Sequence, residues 1–65
     1  MQPHQQRVVE EAAELKTKIE KLTAFINGEV FKSIDSGEQQ LLALQLEVMR
    51  EYVQILGYRI AKFQS

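Results

Sequence analysis

Val8, Ala12, Leu15, Ile19, Leu22 and Ile26 recur at alternating spacings of four and three. That repeat places them on one stripe of an α-helix and predicts a helix over about residues 5–26. Val9 and Phe25 lie beside the stripe, and Glu10, Glu11, Glu14, Lys16, Lys18, Glu20 and Lys21 fill mostly solvent-facing positions. Acids come early and lysines late, as the helix dipole favours. Glu14 and Lys18 have the spacing of an i,i+4 ion pair. Pro3 fits the approach or first turn, and Asn27 with Gly28 reads as a C-cap that uses positive φ.

A second, longer repeat follows. Leu42, Leu46, Met49, Val53, Leu56, Ile60 and Phe63 keep the same spacing, which predicts a helix over about residues 37–63. The joint, residues 27–36, carries Val30, Phe31 and Ile34 and so is not a solvated linker. Glu29 to Ser33 can form one short helical turn, with Phe31 and Ile34 closing the end of the core. Asp35 with Glu38, or Ser36 with Gln39, has capping-box spacing. The two stripes match in period and nearly in length, so the expected fold is all-α: an antiparallel helical hairpin with a short helical joint. The chain is one helical domain over 1–65.

The second helix carries another apolar set, Leu41, Leu44, Val48, Tyr52 and Ile55. One partner helix cannot cover both. At 65 residues the hairpin has a single seam to bury, and chains this small rarely gain more than ~3–5 kcal/mol from one core without a further staple. There is no cysteine and one histidine, His4, so disulfides, thiolate metal sites and paired-histidine zinc sites are excluded. Self-association is the remaining staple. The expectation is a homo-oligomeric helical bundle, at least a dimer.

Charge narrows the partners. A net charge of −1 gives no basic field for long nucleic acid. Apolar runs are too short for a membrane span, and no signal-peptide pattern opens the chain, which suggests a cytoplasmic setting. Catalytic constellations are poor. Glu10 with Glu14, and Glu47 with Glu51, are one turn apart but lack the E-x-x-H spacing of di-iron bundles. Gly28, Gly37 and Gly57 match no phosphate loop. The protein is expected not to be an enzyme, with no cofactor.

Binding features are more informative. Gln45, Tyr52 and Arg59 are seven apart and line one side of the second helix. An aromatic ring between an amide and a guanidinium can stack on a base and hold a phosphate, or it can pack in a subunit interface with a polar rim. Lys18, Lys21 and Thr23 lie near the end of the first helix and, with Arg7, are the other anion contacts. Gly57 marks either a close approach by backbone or ligand, or simple tolerance near a helix end.

The run Arg7-Val-Val-Glu-Glu-Ala-Ala-Glu-Leu15, then Lys18-Ile-Glu-Lys-Leu-Thr-Ala-Phe-Ile26, resembles a family of small helical bacteriophage proteins, often crAss-phage-related. Phe31, Glu38-Gln-Gln-Leu-Leu42, Gln45, Met49, Tyr52, Ile55-Leu56 and Arg59-Ile60 extend the likeness over nearly the whole chain. Within that group it is similar to the anti-CBASS protein 2 sponges. The resemblance implies a homo-oligomer, expected to be a hexamer, in the cytoplasm of the infected host. It implies that cyclic di- or trinucleotides are bound between protomers and sequestered without cleavage. The candidate ligand residues are Arg7, Lys18, Lys21, Thr23, Tyr52 and Arg59, with Lys21 and Thr23 carried over for phosphate and base-edge contacts. Those sponges place an aromatic residue near the start of the first helix, where this chain has Gln5, Gln6 and Arg7. The rival reading is a helical module that grips a host protein with its extra apolar stripe. A DNA-binding regulator is weaker, since no basic recognition helix is present.

Overall fold

The structure, a computed structural model, describes residues 1–63. Three helices follow in order: α1 (Pro3–Ile26), α2 (Glu29–Ser33) and α3 (Ser36–Lys62). α1 and α3 run antiparallel along a rod whose principal extents are 47 × 14 × 14 Å.

α1 starts two residues earlier than the predicted helix. Pro3 takes the first helical position, where its missing N–H costs nothing. Gln5 reaches back to accept the Gln2 backbone N–H at 3.0 Å. His4 therefore sits in the first turn of α1, exposed. Asn27 is the C-cap, as expected, but no positive φ is used among the described residues. Asn27 has φ −86° and Gly28 φ −95°. The Asn27 N–H donates to the Thr23 carbonyl and the Gly28 N–H to that of Phe25, both at 3.1 Å. Gly28 then leads straight into α2, so the chain needs no left-handed residue. A Cβ at Gly28 would stand 3.4 Å from both the Ala24 and Phe25 carbonyl oxygens, an ordinary contact, so the position does not require glycine.

α2 is the single turn expected of Glu29–Ser33. Phe31 and Ile34 are half-buried, and Phe31 meets Phe25 edge-on, centroids 6.3 Å apart. Of the two candidate caps for α3, Asp35 is the one used: its carboxylate accepts the Glu38 N–H at 3.3 Å. Gln39 has a different role. Its Nε2 donates to the Phe31 carbonyl at 2.7 Å and ties α3 to α2. Glu14 and Lys18, both exposed and solvated, form no ion pair among the described residues, whereas Lys32 and Glu29 do, at 3.5 Å.

Both seam stripes face inward as their spacing predicts. Val8, Ala12, Leu46 and Leu56 are buried, and the other members are half-buried. The tightest cluster joins Val8, Ala12 and Leu56, with Leu15, Ile60 and Phe63 packed against it. Among the described residues Leu56 alone is fully enclosed, at 0 % exposure. The second apolar set of α3 lies open, with Leu41 62 %, Val48 58 % and Ile55 52 % exposed. No described helix is long and apolar enough to cross a membrane.

Candidate functional site

One hydrogen bond fixes which flanks of the two helices share a face. The Tyr52 hydroxyl, on α3, donates to Glu11 Oε2, on α1. At 3.6 residues per turn the neighbours of Glu11 on that flank are Arg7, Glu14, Lys18, Lys21 and Phe25. The neighbours of Tyr52 are Leu41, Leu44, Val48, Ile55 and Arg59. One broad face thus sets a charged row from α1 beside an apolar row from α3. Arg7, Lys18, Lys21 and Arg59 are exposed on it.

Thr23 does not join them. It stands two residues from Lys21, about 200° around the helix, on the far flank of the seam. It is half-buried, and its Oγ1 donates to the Ile19 carbonyl at 2.7 Å. Within one protomer, Lys21 and Thr23 cannot serve one ligand. The remaining residues are also spread out, since Arg7 and Lys21 lie about 21 Å apart along α1. No cavity forms among the described residues of the single chain, and no acid or histidine cluster could hold a metal.

Tyr52 is 40 % exposed. Its hydroxyl is committed to a carboxylate, and a phosphate brought to that hydroxyl would meet the Glu11 charge. Anion-binding capacity therefore falls at Lys18 and Lys21 on one side of Glu11 and at Arg7 and Arg59 on the other. What Tyr52 still offers is the face of its ring. Gln45 Nε2 approaches the Met49 sulfur at 3.9 Å, a weak contact that leaves its carbonyl free. At Gly57 nothing lies within 4 Å of where a Cβ would stand, so no backbone of the same protomer explains that glycine.

The Glu11 hydrogen bond raises the Tyr52 phenol above its ordinary 10.0. Desolvation and the Glu11 charge add to the effect, and Arg59 opposes it. With the folded value raised, the stabilisation from this bond is complete below pH 10.0 and is lost as pH rises through the raised value. In a Tyr58→Phe background, phenolate absorbance is expected to show Tyr52 ionising above pH 10.0, and Glu11→Gln should lower that midpoint. A midpoint unmoved by Glu11→Gln would remove Glu11 as the cause.

Sequence reasoning placed Glu11 among solvated acids. No local spacing marks it, because its partner is 41 residues away. Aligning the two apolar stripes antiparallel was the one route to it.

Together these features define a small all-helical hairpin protein with one broad face left open. Residues 2–62 match the Sequestin family, and the chain belongs to it. It is 38 % identical over 64 residues to an uncharacterized 7.5 kDa protein in the denB-rIIB intergenic region of Enterobacteria phage T4, an alignment spanning 98 % of this chain and 100 % of that relative. The likeness to small phage proteins holds at that level. No solved structure matches.

Proposed function

We propose that this protein is a phage anti-defence sponge that binds cyclic di- or trinucleotides as a homo-oligomer and sequesters them without cleavage, blocking CBASS-type immunity in the host cytoplasm. Membership of the Sequestin family across residues 2–62 carries the reading, since the family name denotes sequestering. The phage T4 relative supports an anti-defence setting, and the resemblance to the crAss-phage-related and anti-CBASS proteins belongs to the same reading. The chemistry is compatible. Lys18 and Lys21 offer charge-assisted contacts to phosphate, the Tyr52 ring offers a stacking surface, and Arg7 and Arg59 offer a second cationic pair. Because one protomer forms no cavity, the pocket requires residues from more than one copy, and a hexamer supplies several such seams. Thr23 could serve a ligand only from a neighbouring protomer. No turnover is involved, so retention depends on slow release from a closed seam.

Native mass spectrometry with a panel of cyclic di- and trinucleotides tests this. The expected result is a discrete oligomer that gains a fixed number of intact ligands. Lys21→Ala should then weaken binding at least tenfold, the loss of one charge-assisted contact of about 1.5–3 kcal/mol. Unchanged affinity in that variant would remove Lys21 from the site. A discrete oligomer that takes up none of the panel would overturn the sponge reading and favour a module that grips a host protein through the apolar row of α3.

A further inference from the structure

Asn27 is the only asparagine of the chain, and Gly28 follows it. The other eight side-chain amides are all glutamine. Asparagine is among the chemically labile residues, because the next backbone nitrogen can close a succinimide ring on its Cγ. Glutamine, one methylene longer, closes far less readily. A Cβ on the following residue crowds the attack, and glycine has none. Nothing else in the fold accounts for that glycine, since its φ is −95° and an added Cβ would make ordinary contacts. Asn27 is exposed, and its side-chain amide has no hydrogen-bond partner among the described residues. As the C-cap of α1, with φ −86° and ψ 0°, it shares with Gly28 a peptide that lies outside both α1 and α2. The nitrogen of that peptide is restrained by one bond, from the Gly28 N–H to the Phe25 carbonyl at 3.1 Å.

We infer that Asn27 is a site of spontaneous covalent modification, at which the folded chain turns its own side-chain amide into a carboxylate. The Gly28 nitrogen gives up its proton to solvent and attacks the Asn27 Cγ. The N–Cγ bond forms as the Cγ–Nδ2 bond breaks, and the side-chain nitrogen takes a proton from solvent and leaves as ammonia. Water then opens the ring at either carbonyl carbon. Opening at Cγ gives aspartate in the original backbone. Opening at the backbone carbonyl gives isoaspartate, whose main chain runs on through Cβ and Cγ. Water is the one co-reactant, and nothing is oxidised or reduced. The joint gates the reaction. The Gly28 nitrogen must leave the Phe25 carbonyl and the Asn27 ψ must turn away from 0°, so closure proceeds from a local opening of the joint. The product weakens the place where it forms. Its carboxylate stands at the carbonyl end of α1, where the helix dipole disfavours negative charge. The isoaspartyl form also lengthens the backbone between α1 and α2, against the Phe25–Phe31 ring contact and the Gln39 bond that hold α2 in place. No ligand and no second copy takes part, so the inference stands or falls apart from the sponge reading.

Peptide mass mapping of the native chain, incubated in mildly alkaline buffer, tests this. The peptide that carries Asn27 should gain the mass separating a carboxyl from an amide, steadily and ahead of every glutamine. Isoaspartyl methyltransferase should label that same peptide. Conversion should quicken as the buffer is made more alkaline, and quicken again when guanidinium chloride unfolds the chain and frees the Gly28 nitrogen. Gly28→Ala keeps the negative φ and should slow conversion about tenfold or more through its added Cβ. Helix content by circular dichroism shows that this variant is folded. Asn27→Asp, the aspartyl product made directly, should unfold at a lower urea concentration than the native chain. A folded chain whose Asn27 stays intact while the unfolded chain converts overturns the inference, because the joint then protects the amide. So does a folded Gly28→Ala that converts as fast as the native chain. An Asn27→Asp chain as stable as the native one overturns the stated effect on the joint.

Discussion

Leu56→Ala is expected to leave most of the protein unfolded at low micromolar concentration. Among the described residues Leu56 is the one side chain with no exposed surface, and it joins Val8 and Ala12 to Leu15, Ile60 and Phe63. Removing three carbons from such a site costs about 2–5 kcal/mol, the loss of transfer energy plus the void left behind. The void collapses only in part, because its walls belong to two helices already held at a fixed distance. A single seam of this size supplies a margin of the same order, ~3–5 kcal/mol. Urea titration followed by far-ultraviolet circular dichroism should show the midpoint fall to near zero denaturant for the variant. A loss below about 1 kcal/mol would mean that the cluster is not the main source of stability.

Ala12→Leu tests the same place from the other side. Ala12 is 5 % exposed against Leu56, and its small side chain sets how closely α1 and α3 approach. Three added carbons must push the helices apart or force strained rotamers, at about 1–3 kcal/mol. The two changes should compensate. In the Ala12→Leu, Leu56→Ala double variant the new leucine fills the space the old one vacated, and the volume of the cluster is kept. Its loss should be at least 1 kcal/mol smaller than the sum of the two single losses, about what neighbours sharing one cavity show. Strict additivity would show that the two side chains do not share a space.

The seam could be read in the sequence almost residue by residue, because an amphipathic helix writes its buried stripe as a period of 3.6 and both stripes here are uninterrupted. The short turn of α2 and the exposure of Leu41, Leu44, Val48 and Ile55 followed from the same pattern. Two details needed the third dimension. Asn27 does cap α1, as its sequence suggests, but with negative φ, because backbone bonds to Thr23 and Phe25 turn the chain into the next helix. Lys21 and Thr23, two residues apart, lie on different flanks of α1, so a ligand that used both would draw them from different protomers. The pairing of Glu11 with Tyr52 and the bond from Gln39 to the Phe31 carbonyl depend on how elements meet. Neither is encoded in any local spacing. The candidate site was therefore legible as a set of cations and one ring, and not as an arrangement. The arrangement follows from the register, which sends Thr23 to the far flank and sets a carboxylate between the two cationic pairs.

The cluster of Val8, Ala12 and Leu56 stands at the open end of the hairpin, where the beginning of α1 and the end of α3 lie side by side. The first turns of α1 and the last turns of α3 are thus held together by the best-packed part of the molecule, and Phe63 belongs to that packing. An affinity tag or reporter fused close to either terminus would press on this clasp. The loop end, where Lys32 and Glu29 are exposed on α2, lies at the opposite pole of a 47 Å rod. A label placed there is as far from the clasp as the molecule allows.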